Sequence, residues 1–274
     1  MQLSLMFGPL GDTVKEDTIT DMVQVMTEKV GLVQQMPYAA TRRGFASHME
    51  KVIYNQDIML LDQIYFGTQH AKMYVCANVI GINCATGMSC LMRKPVIEEA
   101  GGLIKFTQYL AEDYFLAQEF INRGWHIKLS SQPALQHSGT YSITTLHNRL
   151  TRWCKLRTAM TPLTVFFEPI SLCFPFGIIA SWSISFLFNW TASVVFLVHA
   201  LVWFLMDYVL INIIEGGTLP FSKFEFVVAW LFNELTYIGI IMRSHWNSTI
   251  VWRNRHFKLR WGGVVEELHV KQTV

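Results

Sequence analysis

The chain has 274 residues, 51% hydrophobic content and a mean hydropathy of +0.28, too apolar for an ordinary soluble domain of this length. A formal net charge of +2, with no basic face running through the polar half, argues against nucleic acid as a partner. Five cysteines form no C-x-x-C pair and nine histidines no H-x-x-x-H pattern, so reduced thiols and no protein-only metal site are expected.

The elements follow in chain order. The N-terminus has no basic n-region and meets Gly8-Pro9-Leu10-Gly11 at once, unlike a signal peptide. Residues 17–25 read as a helix capped by Thr18 or Thr20, with Ile19, Met22, Val23 and Met26 at helical spacing. Residues 29–34 read as a buried strand, followed by a turn at Pro37. Residues 41–66 are ambiguous but lean helical, with Phe45, Met49, Val52 and Ile53 along one face. Residues 74–82 alternate as a strand does, and 87–92 suit a second one. Residues 95–100 suit a short helix that Gly101-Gly102 terminates. A helix from Glu112 through Arg123, closed by Gly124, precedes a strand over 125–135 with a bend at Pro133. This alternation predicts an α/β layer fold for residues 1–160.

Residues 161–245 form the predicted membrane region. Three apolar runs, 170–188, 191–214 and 226–242, each approach the ~20 residues that cross ~30 Å of hydrocarbon. Glu168-Pro169 and Pro175 mark the first as interfacial or re-entrant over about 163–188, and the other two as a transmembrane hairpin joined through Gly216-Gly217. Basic residues flank the block on both sides: Arg149, Arg152, Lys155 and Arg157 before it, Arg243, Arg253, Arg255, Lys258 and Arg260 after it. If both flanks are cytosolic the number of crossings is even, and residues 246–274 form a cytosolic tail. His199 and Asp207 sit inside the second run on nearly one helical face, where ionisable groups serve a lipid acceptor, a paired role or packing. Asn233 and Glu234 in the third run are the expected partners.

Two motifs carry chemistry. Glu112-Asp113 offers a carboxylate base for a hydroxyl proton, or simply the acidic first turn of a helix. Arg149-Leu150-Thr151-Arg152-Trp153 offers fixed positive charge for a departing diphosphate, or a lipid-headgroup anchor with an interfacial tryptophan. An acidic pair in a polar domain, then this arginine motif, then membrane, suggests sugar transfer from a nucleotide donor at a bilayer surface.

Residues 27–33 (TEKVGLV), 86–94 (TGMSCLMRK), 111–115 (AEDYF), 149–153 (RLTRW), 168–171 (EPIS) and 216–223 (GGTLPFSK) closely resemble ceramide glucosyltransferases. The similarity runs from about residue 17 to 267. It implies a nucleotide-sugar-binding, GT-A-like α/β fold joined to a membrane region, and transfer of glucose from UDP-glucose to the primary hydroxyl of ceramide at the cytosolic face of the Golgi. It puts the base on Asp113, and substrate binding on Glu112, Gly87, Arg149, Arg152 and Trp153.

Two departures from the family accompany the resemblance. Family members carry an N-terminal anchor and two earlier aspartate motifs. Here the family-like region begins near Gly11, and Pro9 stands where the aspartate that contacts a divalent cation (Mg²⁺ or Mn²⁺) is expected, with Asp12 in another register. About a dozen extra residues, roughly 53–64, also intervene. Both fit a shortened gene product, so the alternative is a catalytically inactive membrane protein that binds lipid or pairs with an intact enzyme.

Overall fold

The computed structural model describes residues 3–7, 12–13, 17–39, 56–82, 89–136, 142–246, 248–252 and 255–268. The chain divides into two compact units: residues 1–55, 70–140 and 263–265, and residues 56–69, 141–262 and 266–274. The whole is a mixed α/β protein.

In the first unit, β1 (Leu3–Phe7), β5 (Ser89–Arg93), β3 (Val30–Gln34) and β6 (His126–Leu129) form a sheet in the order β1-β5-β3-β6. Strand β3 pairs antiparallel with β5 and parallel with β6. It is buried along its whole length, as a strand covered on both faces must be. Helix α1 (Thr18–Val25) covers one face through Met22, over Val30, Val33 and Leu91. Helices α4 (Lys94–Glu99) and α5 (Glu112–Asn122) cover the other, over Leu32, Cys90 and Met92. Val30 and Leu32 would share a face in a regular strand. The pairing with β6 shifts register between them, and this bulge turns them to opposite sides. Gly31 sits in the shift, where a Cβ would lie 2.6 Å from Phe120 Cδ1 and 2.7 Å from Trp125 Cβ, so no larger residue fits. A second sheet runs β2 (Asp12–Thr13), β7 (Ala134–Gln136), β4 (Pro37–Ala39).

Several expectations are corrected in this unit. Residues 74–82 form not a strand but most of helix α3 (Ala71–Ile80), whose buried Ala71, Tyr74 and Ala77 recur every third residue. The alternation there is incidental, and Gly81 at φ 72° ends the helix. Pro37 opens β4 instead of a turn, at the strand position where a missing N–H does least harm. The single strand over 125–135 is two strands in different sheets, with Pro133 between them. Neither Thr18 nor Thr20 caps α1. Asp17 holds the cap position, and the Thr18 hydroxyl instead donates to Gln132 Oε1 at 3.1 Å.

The second unit contains α2 (Gln56–Tyr65), which covers most of the extra segment, and the start of the π-helical turn Phe66–His70. It also holds α6 (Ile143–Met160), α7 (Thr164–Ile170), α8 (Cys173–Phe188), α9 (Ala192–Glu215) and α10 (Lys223–Trp246). A sheet of β8 (Thr249–Trp252), β9 (Arg255–Leu259) and β10 (Val265–Leu268) follows. By length and composition α9 and α10 could each cross a membrane, and α7 with α8 forms a pair bent by 84°. The break falls at Ser171-Leu172, not at Pro175, which occupies the first turn of α8 where no N–H is missed. Helix α10 begins earlier than its apolar run because Ser222 and Glu225 form a reciprocal cap, N–H to Oε2 at 2.6 Å and N–H to Oγ at 3.2 Å.

The basic flanks are not simple headgroup anchors. Lys155 Nζ donates to the Thr249 carbonyl at 2.8 Å, Arg157 pairs with Glu168, and Arg255 and Arg260 pair with Glu267 and Glu266. The Gly262 N–H also donates to the Ala159 carbonyl at 3.1 Å. Residues just before α7 and residues just after α10 are therefore hydrogen-bonded neighbours. Single-cysteine reporters at Thr145 and Trp261, measured against the unmodified chain, should both react with an impermeant thiol reagent from the same membrane side. Reaction from opposite sides would mean an odd number of crossings.

Candidate functional site

Glu112 and Asp113 open α5, where the unpaired amides of a helix N-terminus suit negative charge. Asp113 Oδ1 accepts the Tyr114 N–H at 2.8 Å. Glu112 stays exposed as a residue, yet partial burial of its carboxyl, and then the neighbouring Asp113 charge, push its pKa up. Asp113 is also felt in the strand beneath. Burial first, and then the Asp113 charge, push the Cys90 thiol up to about 12. This acidic pair belongs to the first unit.

The arginine motif belongs to the second. Arg149, Trp153 and Arg157 follow one another by four residues and so line one stripe of α6. The Arg149 guanidinium carbon lies 4.5 Å from the Trp153 ring centroid and 5.5 Å from that of Phe66. The two rings meet edge to face at 5.9 Å. Half-buried Arg152 is held below the usual arginine range by burial and then by the Arg149 charge. Two guanidiniums that repel each other in a half-desolvated setting form a place that an anion stabilises.

Further along the stripe, Arg157 Nε donates to Glu168 Oε1 at 2.6 Å and its terminal nitrogen to the Tyr237 hydroxyl at 2.9 Å. Burial opposes the Arg157 charge, but Tyr237, Glu168 and Tyr65 outweigh it and hold the arginine charged. The Cys154 thiol donates toward Glu168 Oε2 at 2.7 Å and lies 2.9 Å from the Ser244 hydroxyl. Burial, then the Glu168 charge, push that thiol up to about 12. Phe66, Arg157, Glu168 and Tyr237 were not among the residues predicted for the site. The four-residue spacing from Arg149 through Trp153 points to Arg157, and Glu168 stands in the family-like EPIS segment, whereas Phe66 and Tyr237 carry no such signal.

His199 and Asp207 bond to different groups. Asp207 is 1% exposed and accepts from Trp230 Nε1 at 2.9 Å. His199 Nε2 lies 3.0 Å from the Cys173 carbonyl, and Glu234 Oε2 accepts the Cys173 N–H at 2.8 Å. Both therefore grip the first residue of α8 from α9 and α10. Asn233, expected beside them, donates to the Leu61 carbonyl instead. His199 also fills the space over Gly177, where a Cβ would meet its Cδ2 at 2.6 Å. These groups tie α8, α9 and α10 to one another.

Gly87 and Pro9 lie outside the described residues. Among the described residues no group of three or more His, Cys, Asp or Glu side chains could hold a metal ion.

Residues 13–265 match the family described as glycosyl transferase family 21. The chain is 39% identical over 257 residues to ceramide glucosyltransferase 3 of Caenorhabditis elegans, covering 93% of this chain and 53% of that protein. It is 38% identical over 263 residues to ceramide glucosyltransferase 1 of the same organism, covering 95% and 54%. To a ceramide glucosyltransferase of Komagataella phaffii it is 25% identical, covering 88% and 58%. The chain thus spans about half the length of the curated relatives it matches.

The thiols give a direct check on this geometry. With pKa values of about 12, Cys90 and Cys154 carry about one thiolate in 10⁴ at pH 8 and are also buried. Iodoacetamide at pH 8 should modify exposed Cys76 in the folded chain and spare Cys90 and Cys154 until denaturant is added. Mass spectrometry of the digested protein reads the result. Rapid native labelling of Cys90 would contradict the packing beneath Asp113.

Proposed function

The chain belongs to glycosyl transferase family 21, and from that premise we propose that it transfers glucose from UDP-glucose to ceramide, forming glucosylceramide. The observation that carries the reading is the paired, half-buried Arg149 and Arg152 on α6, with Arg149 laid over two aromatic rings. The names of the relatives support ceramide as acceptor. On this reading the first unit is the GT-A-like catalytic part. It faces the cytosol at a Golgi membrane, and membrane lipid surrounds α8 to α10.

In the reaction, Asp113 takes the proton of the primary hydroxyl of ceramide as the hydroxyl oxygen attacks C1 of glucose. The bond between C1 and the diphosphate oxygen breaks, and UDP leaves with the electron pair. Arg149 and Arg152 meet the negative charge that grows on the diphosphate. Trp153 holds Arg149 and borders the acceptor, and Glu112 takes a substrate-binding role. A divalent cation, when bound, would share the diphosphate charge.

The test is expression in cells that lack their own ceramide glucosyltransferase. One arm carries the chain alone, and the other adds the N-terminal half of a full-length relative. Glucosylceramide in either arm supports the proposal. Its absence from both overturns the proposal in favour of a non-catalytic, lipid-binding membrane protein. In the productive arm Asp113→Asn should cut turnover by ~10²–10⁴ while insertion is kept. Arg149→Lys and Arg152→Lys, which keep charge but lose the planar fork, should each lower it strongly. Retention of most activity by Asp113→Asn would remove Asp113 from the role of base.

A further inference from the structure

The turn Phe66–His70 is π-helical, a local departure that gathers at functional sites more than elsewhere. Its first residue, Phe66, is 0% exposed and is fixed by a run of aromatic rings. Tyr237 of α10 stacks on Tyr65 at 5.8 Å, Tyr65 meets Phe66 edge-on at 5.4 Å, and Phe66 meets Trp153 edge-on at 5.9 Å. At the end of that run the Arg149 guanidinium lies over both the Phe66 and Trp153 rings. The two rings stand at 75° to each other, so they bound the guanidinium on two sides. A cation confined between two ring faces has fewer directions open in which its fork can meet a phosphate.

We propose that Phe66 is a positioning residue for the diphosphate of the sugar nucleotide, acting through Arg149. The inference rests on the reading of Arg149 as a diphosphate contact. Trp153 is within the motif itself, whereas Phe66 comes from more than eighty positions earlier in the chain. Its ring supplies a second surface, so Arg149 is held from two directions and not only by its neighbour on α6. The side chain is apolar and touches no reacting atom, so its effect is on orientation alone.

The experiment measures steady-state kinetics and UDP inhibition in membranes from the arm that yields glucosylceramide. Phe66→Leu removes the ring and keeps an apolar side chain. It should lower kcat/KM for UDP-glucose by about 5- to 30-fold, the range of a lost cation–π contact, and weaken UDP inhibition in parallel. The KM for ceramide should stay within about twofold of the parent, and Phe66→Tyr, which restores a ring, should recover the UDP-glucose values. A merely structural role would lower folded yield and thermal midpoint without separating donor from acceptor. Phe66→Met, of similar volume, replaces the leucine variant if that one does not accumulate. If neither accumulates, Phe66 is a core residue and the proposal falls. Unchanged UDP inhibition in Arg149→Lys would sink the diphosphate reading itself. A shift in Arg149→Lys with none in Phe66→Leu would sink the role of Phe66 alone.

Discussion

A guanidinium sunk among apolar helices is tolerated only when its counter-charge comes with it, and the packing of the second unit is arranged about that requirement at Arg157. Glu168 on α7 supplies the charge, and Tyr237 on α10 supplies a hydroxyl to another nitrogen of the fork. Cys154 adds a third tie, from α6 to Glu168 and to Ser244. Three helices thus converge on one polar joint. Removal of Glu168 alone would strand a largely buried cation, a change that typically costs about 3–5 kcal/mol. Because Arg149 and Trp153 lie on the same stripe of α6, the joint at Arg157 also sets the azimuth at which they are presented.

The same demand recurs deeper in the apolar region. The first amides of a helix have no partner within the helix, and lipid supplies none. Glu234 takes the Cys173 N–H, and His199 reaches the carbonyl of the same residue. The break at Ser171-Leu172 exposes the Cys173 amide that Glu234 takes, whereas an unbroken helix would pair it internally.

Much of this was legible in the sequence. The long apolar runs, the glycine stops at Gly101-Gly102 and Gly216, and the acidic first turn at Glu112-Asp113 are local signals, and the helices stand where they indicate. The grouping of Arg149, Arg152 and Trp153 was visible because five residues of helix bring it together without help from the rest of the chain. The strand expected over 74–82 failed because a short apolar run satisfies both periods, and only burial on one helical face decides between them. The bulge at Gly31 was hidden because its cause, the approach of Phe120 and Trp125, lies about ninety residues away. Phe66 was missed for the same reason: nothing near it in the sequence says that Arg149 will lie over its ring.

The spacing of the polar joint along the chain has a consequence for how the protein is made. Arg157 and Glu168 are 11 residues apart and can meet as soon as both have left the ribosome, since closing so short a loop is quick. Tyr237, Ser244 and Thr249 reach their partners across 80, 90 and 94 residues and can do so only after the apolar helices between have been synthesised. The ion pair therefore waits half-finished while the bilayer segments enter. Chains stalled or misinserted within those segments keep Cys154, Lys155 and Arg157 short of these partners. Completion of the joint thus marks a membrane region threaded to its end.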